Sequence, residues 1–449
     1  MPRDLTAAAA PARRSPITWV PTLYFAQGVP FFVVMAITTL LFTDLGMPNA
    51  QVTKWVNALG WAWVVKPLWS PFLEALASKK RLVVVFQAIG AVTLALVAFA
   101  LNLPGGIPLV LAVLAVTAFA SATHDIASDG LYIASLSHRQ QAEYAGWQGA
   151  FFNVARLFAK GGLLVVVGVL EATLAKAHAW SAVFGLLAAT MAVLAAYHAW
   201  ALPDTRTDAG EAHDFSEVAR TLWDVVADFF TKPGIWFAVL FIVLFRAGEG
   251  QLQSVAPLFL RAATNLGGMG LSNAQIGVVY GTAATVAFVV GSVVGGYFAA
   301  WLGLRRAMPV LVLVMNLPNL VYWWLSVNHP ADLGLVATAL SLEMFGYGFG
   351  FVGIILFIMQ GVAPGRFPTA HYALGSGVMQ LGNVLAGTWS GSIQTSLGYE
   401  HFFLWTVVSA VPVLLLSFFL PKGIGAGADA AAAATSRGVA EDVAPVAGA

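Results

Sequence analysis

Eight ionisable side chains stand inside long apolar runs of this chain: Lys66, Arg156, Lys160 and Arg246 are basic, and Asp125, Asp129, Glu249 and Glu343 are acidic. If those runs cross a bilayer, each charge at the centre costs roughly 2.5–3.5 kcal/mol or more and persists only where it is paired or faces water. The signs balance. The chemistry open to such a set is ion pairing, proton exchange and the binding of a charged solute. Asp125 and Asp129 are four residues apart, as are Arg156 and Lys160, so each pair shares one face of a helix. The spacing predicts two acids facing two bases across neighbouring helices, with Asp125 the structural partner of Arg156 and Asp129 the carboxyl that takes and releases a proton. Arg246, Glu249 and Gln253 form an i, i+3, i+7 stripe, and Glu343 stands alone. Any one of these could instead be a structural pair holding helices together. Eight balanced charges in a shared layer, several of them roughly 17–22 Å from the basic end at 1.5 Å per residue, favour a wet cavity.

His124 adjoins Asp125 and could relay a proton near neutral pH, or simply hydrogen-bond between helices. Trp63 and Trp147 lie close in sequence to the charged layer, where an aromatic face beside polar groups suits a sugar ring. Gly348, Gly350 and Gly353 match a dinucleotide fingerprint by letter, yet they sit within an apolar run rather than in a strand-to-helix turn. Close packing or a local break is the expected meaning. The absence of cysteine excludes disulfides and thiolate metal sites. No Walker loop, HExxH or serine elbow occurs, so neither a cofactor nor a metal is expected.

The elements that must position these residues follow from composition. Of 449 residues, 59% are hydrophobic and 10% charged, which describes a chain dissolved in lipid rather than water. A helix needs about 20 apolar residues to cross the hydrocarbon core. Such runs lie near 17–42, 51–77, 82–103, 107–137, 141–170 and 178–201, and again near 234–262, 273–301, 306–327, 332–362, 368–396 and 399–420. The prediction is an all-α membrane protein of about twelve transmembrane helices in two six-helix bundles, 17–201 and 234–420. A cytoplasmic arm (1–16), a linker (202–233) with an amphipathic helix over 216–230, and a disordered tail (421–449) complete the division. Lys and Arg concentrate in the connections on one side, with only Lys54, Lys176 and Arg261 near the other, which places both termini in the cytoplasm. The halves also repeat: Asn49-Ala50-Gln51 returns as Asn273-Ala274-Gln275, and Lys79-Lys80-Arg81 as Arg305-Arg306. A parallel repeat of six spans resembles the layout of the major facilitator superfamily, whose halves rock about a midplane site.

Specific stretches narrow the resemblance. HDIASDGLY from His124, YFAQGVPFF from Tyr24, the Thr43–Gly46 turn and KPLWSPFLE from Lys66 resemble AmpG-like muropeptide permeases and the related acetyl-CoA transporters. The resemblance covers at least the first half, and it implies proton-driven import of amino-sugar peptides from cell-wall recycling. It also implies that Asp125 and Asp129 are family positions. Glu74, Lys80, Arg81, Arg305 and Arg306 stand where major facilitator proteins carry a conformational latch.

The expected function is a proton symporter of the bacterial inner membrane that imports a muropeptide-like amino-sugar or oligosaccharide solute. A transporter of another solute class (sugar, acyl-CoA) is the alternative, and a multispanning enzyme or a sensor is a more distant one. The candidate proton-coupling residues are Asp125, Asp129, Glu249 and Glu343. The candidate solute-binding residues are Lys66, His124, Arg156, Lys160, Arg246, Gln253, Trp63 and Trp147. Partners are the solute and the bilayer, with no nucleic acid, and a monomer is expected.

Overall fold

The computed structural model describes residues 14–74, 78–204 and 215–420, all built from helices. The first six crossings are α1 (Pro16–Asp44), α2 (Asn49–Leu59 continuing as Trp61–Glu74), α3 (Lys79–Ala100), α4 (Ile107–Ser135), α5 (Arg139–Leu170) and α6 (Lys176–Ala201). A surface helix, α7 (Phe215–Thr231), precedes α8 (Ile235–Arg261), α9 (Asn273–Leu302), α10 (Leu304–Asn328) and α11 (Leu333–Val362). The last apolar stretch, Pro368–Ser417, is too long for one crossing, and Gly398 interrupts it at φ 73°. Only glycine enters that backbone region without strain, and the chain folds back there as α12 (368–397) and α13 (399–417). Among the described residues, ten helices are long and apolar enough to cross a membrane. Counting the last as two and adding α2, which Lys54, Lys66 and two prolines make less apolar, gives twelve crossings.

The ends of the bundle are distinct. Arg305 donates to the Leu420 carbonyl at 3.2 Å, and the Lys232 ammonium donates to the carbonyls of Val362 and Pro364 at 2.7 Å each, all at the end that carries the described termini. The halves meet through symmetry-related pairs: α2 packs on α12, and α5 packs on α9. Within the second half, α9 and α11 approach to backbone distance. A Cβ added to Gly291, Gly295 or Gly348 would overlap a main-chain carbonyl of the opposing helix, so the glycine run of α11 is a packing seam. The helix is unbroken through Gly348–Gly353.

Several crossings contain a single wide π turn, at Val33–Ile37 in α1, Leu157–Leu163 in α5, Gly277–Ala283 in α9 and Ile358–Val362 in α11. Such turns recur at functional sites because they re-aim the side chains that follow. Those of α5 and α9 face each other across the interface of the halves. The amphipathic helix expected over 216–230 is α7, which packs against α4-side neighbour α2 and against α8 and α12. The arm 1–13, the charged stretch 205–214 and the tail 421–449 lie outside the described residues.

Candidate functional site

A cavity of about 420 Å³ occupies the middle of the interface between the halves. Its walls are aromatic, with Phe31, Phe32 and Phe152 from the first half and Tyr280, Phe288, Tyr347 and Phe351 from the second. Arg156, Lys160, Arg246 and Gln253 line it, so four of the candidate solute residues share one chamber. Arg156, Lys160 and Arg246 are all buried, and none forms an ion pair among the described residues. Arg156, just before the π turn of α5, and Lys160 within it both reach across the interface. The Arg156 guanidinium lies 4.2 Å from the Phe288 ring centre, and the Lys160 ammonium 4.0 Å from that of Tyr280. A cation over an aromatic face gains electrostatic attraction without losing its capacity to bind an anion. Arg246 donates to the Tyr347 hydroxyl at 3.1 Å and the Asn383 amide oxygen at 2.6 Å.

Behind this wall lie two carboxyl groups with no exposure, Glu249 and Glu343. Glu249 accepts from the Gln253 amide at 2.6 Å, and Gln253 in turn accepts from the Tyr280 hydroxyl at 3.1 Å. Neither oxygen of Glu343 has a hydrogen-bond partner. Lys160 and Arg156 lie within electrostatic reach of both glutamates, and the Tyr322 hydroxyl stands beside Glu343.

The acids of α4 are elsewhere, which corrects the predicted pairing with Arg156 and Lys160. Helix α1 packs against both α4 and α5 and stands between them, so Asp125 and Asp129 face α1 and α2 instead. Asp125 pairs with Lys66 and accepts from Gln27. Asp129 accepts from the Tyr24 hydroxyl at 3.0 Å, which itself accepts from Gln148 at 2.7 Å. His124 is buried away from the cavity, 2.9 Å from the Gln87 amide, and Gln87 continues to His198 at 3.0 Å, a chain linking α3, α4 and α6. Trp63 packs edge-on behind Phe31 at 5.0 Å, while Trp147 is exposed and stacks on Phe151. Lys66, His124, Trp63 and Trp147 are therefore outside the cavity wall.

Sequence reasoning missed the network that closes one end. The Asp44 carboxylate, almost fully buried, accepts from Arg261 at 2.7 Å, Asn273 at 2.6 Å and Trp180 at 3.0 Å, with Lys176 at 3.6 Å. Glu171 joins through Asn273 at 3.1 Å, and burial beside Asp44 pushes its carboxyl above the ordinary range. On the symmetry-related side, Asn49 donates to Gln394 at 2.8 Å and Tyr399 at 2.9 Å. The two repeated asparagines thus tie the halves together at the end remote from the termini. At the other end, α4 and α5 make no extended contact with α11 and α12, and Trp147, Gly149 and Ala150 are exposed. The cavity is shut at the Asp44 end and opens toward the termini. Of the candidate latch residues, Arg81, Arg305 and Arg306 are exposed at that open end and Lys80 is half-buried. The side chain of Glu74 lies outside the described residues.

The model of the Major Facilitator Superfamily matches residues 22–391. The chain is 27% identical over 414 residues to the anhydromuropeptide permease of Escherichia coli K12, covering 88% of this chain and 77% of that one. It is 20% identical over 415 residues to a putative transporter, AmpG 4, of Rickettsia felis, covering 90% and 95%. Among solved structures it is similar to a bacterial homologue of the human lysosomal transporter Spinster in an inward-facing conformation, with a TM-score of 0.69, 13% identity and coverage of 92% and 97%.

Proposed function

The chain belongs to the Major Facilitator Superfamily, and on that premise we propose that it is a proton-coupled symporter importing a muropeptide-like amino-sugar solute across the bacterial inner membrane. The observation that carries the solute reading is the set of three buried cations, Arg156, Lys160 and Arg246, on an aromatic-walled cavity whose wall, among the described residues, carries no acid. Such a wall suits a ligand with an anionic group and flat or ring-shaped apolar faces. The similarity to an anhydromuropeptide permease supports the same class. Proton coupling rests on the carboxyl groups held inside the bundle, Asp125 and Asp129 in one half and Glu249 and Glu343 in the other.

The excess of Lys and Arg at the open end favours a cytoplasmic location for both termini. In that orientation the structure is inward-open, and the Asp44 network is the outer gate. Glu74, Lys80, Arg81, Arg305 and Arg306 then belong to the inner closure, formed when the halves rock the other way. Inside-out orientation is excluded or supported by one uptake experiment that also tests the function. Proteoliposomes carrying the protein in a known orientation should accumulate an anhydromuropeptide when a proton gradient is imposed, and a protonophore should collapse that accumulation. A gradient-independent accumulation, or none with any muropeptide but ready uptake of a simple sugar, would replace this reading with another solute or ion.

A further inference from the structure

The cations of the cavity wall fall into two groups, one on each half. In the first half, Arg156 and Lys160 stand four residues apart on α5, each over an aromatic face of the second half, and the Arg156 Nε has no hydrogen-bond partner. In the second half, Arg246 of α8 is fixed by Tyr347 and Asn383, and the amide nitrogen of Gln380, one turn before Asn383 on α12, has no partner. Both groups border one aromatic patch. The Phe288 ring centre, beside Arg156, lies 5.0 Å from that of Tyr347 and 6.2 Å from that of Phe351, and the Arg246 guanidinium lies 5.5 Å from the Phe351 centre. One small solute resting on that patch can reach both groups. The nearby neutral side chains are engaged within the protein: Asn57 donates to the Thr53 carbonyl at 2.8 Å and to Ser254 at 3.1 Å, and Ser254 donates to the Gly250 carbonyl at 2.9 Å. Glu249 and Glu343, behind the wall, number two against three cations, so the set stays positive whether or not they are ionised.

We propose that the solute carries at least two anionic groups, one taken by Arg156 and Lys160 of the first half and the other by Arg246 with Gln380 and Asn383 of the second. The inference rests on the solute reading above and narrows it from one anionic group to a pair divided between the halves. A buried cation without a counter-charge is costly, and a carboxylate that reaches it makes a short, charge-assisted hydrogen bond. A single anionic group satisfies one half and leaves the other uncompensated. The division also bears on transport. Because α5 and α8 belong to different halves, rocking changes the separation of the two cation groups. A solute held at both ends therefore has different affinities for the two states, which is what a ligand needs in order to shift them. A solute held at one end travels with that half and shifts nothing.

Calorimetric titration of the full-length purified protein tests this with anhydromuramyl-alanyl-glutamate, which has two carboxylates, its two mono-amides and its diamide. Binding to wild type should weaken about tenfold or more with each carboxylate lost. Lys160→Gln should bind the dicarboxylate more weakly by a similar factor, become indifferent to amidation of one carboxylate and stay sensitive to the other. Arg246→Gln should show the opposite choice. Asn383→Ala, which frees Arg246 from its holder, should give the Arg246→Gln pattern in milder form, and it supplies the second-half result if Arg246→Gln does not fold. Equal wild-type affinity for the dicarboxylate and either mono-amide, or indifference of both halves' variants to the same carboxylate, overturns the proposal and leaves the amino-sugar reading in place. N-acetyl-alanyl-glutamate carries the same two carboxylates without the sugar. If it binds wild type as tightly as the sugar-bearing compound, the amino-sugar reading falls and the two-anion site stands. If neither dicarboxylate binds wild type, the two-anion site falls.

Discussion

Asp125 shows what a single residue discloses and what it withholds. Four-residue spacing correctly placed Asp125 and Asp129 on one face of α4, but it could not say which helix that face meets. Helix α1 inserts between α4 and α5, and Lys66 of α2 becomes the partner. Asp44 was hidden for a different reason: it sits at the end of an apolar run, where a lone carboxylate reads as a solvated cap. The available signal was that Lys176 and Arg261 are among the few cations at that end. Because Lys66 and Asp125 are both largely buried, removing one leaves the other uncompensated, which costs about 3–5 kcal/mol for a buried pair. Residual exposure of Lys66 puts the cost toward the low end. Asp125→Asn should therefore lower the thermal midpoint of the purified protein by several degrees, and Lys66→Met/Asp125→Leu should recover most of the loss. Equal midpoints for wild type and Asp125→Asn would show that the pair contributes nothing to stability.

Helices were the most legible level, because length and apolar composition decide a crossing before any packing is known. The expected 216–230 segment emerges as Phe215–Thr231, and the paired spans 368–396 and 399–420 emerge on either side of Gly398. The π turns were not legible. A π turn is one residue of slack in a helix, set by the neighbour it packs against rather than by residue type, and no periodicity reports it. The consequence is functional, since the turn in α5 directs Lys160 into the second half. Gly281 of α9 lies against the main chain at Lys160, and a Cβ there would overlap the Lys160 carbonyl. Overpacking of this kind costs about 1–3 kcal/mol. Gly281→Ala should cut counterflow of the solute about tenfold or more, whereas Gly185→Ala, where nothing lies within 4 Å of the added carbon, should transport as wild type does. Equal counterflow in both variants would show that the close approach is dispensable.

At the scale of the whole molecule, the sequence repeat was legible as a repeat, but its meaning was not. Asn49 and Asn273 bind the halves to each other at one end, and only three-dimensional symmetry shows that. The absence of cysteine allows site-directed labelling without prior substitution. Asp332 and Arg366 are both exposed, at opposite ends of α11. Asp332→Cys should be labelled only from outside the cell and Arg366→Cys only from the cytoplasm. Labelling of both from one side would end the twelve-crossing topology. The Asp44 network predicts a second labelling result. Ser254→Cys on the cavity wall should be inaccessible from outside, and adding Arg261→Ala should raise its outside labelling rate severalfold. A rate unmoved by Arg261→Ala would mean that Asn49 and its partners hold the gate unaided.

The contact between α5 and α9 has one more consequence. With main chain against main chain at Gly281 and Lys160 and at Gly277 and Gly161, the two halves have a fulcrum, and a lever must lower one end as it raises the other. Opening and closing then need no signal passed between the ends. Main chain packed on main chain leaves no room there for a column of water, so a carrier driven as proposed above would hold its gradient while idle and spend it only as cargo moves.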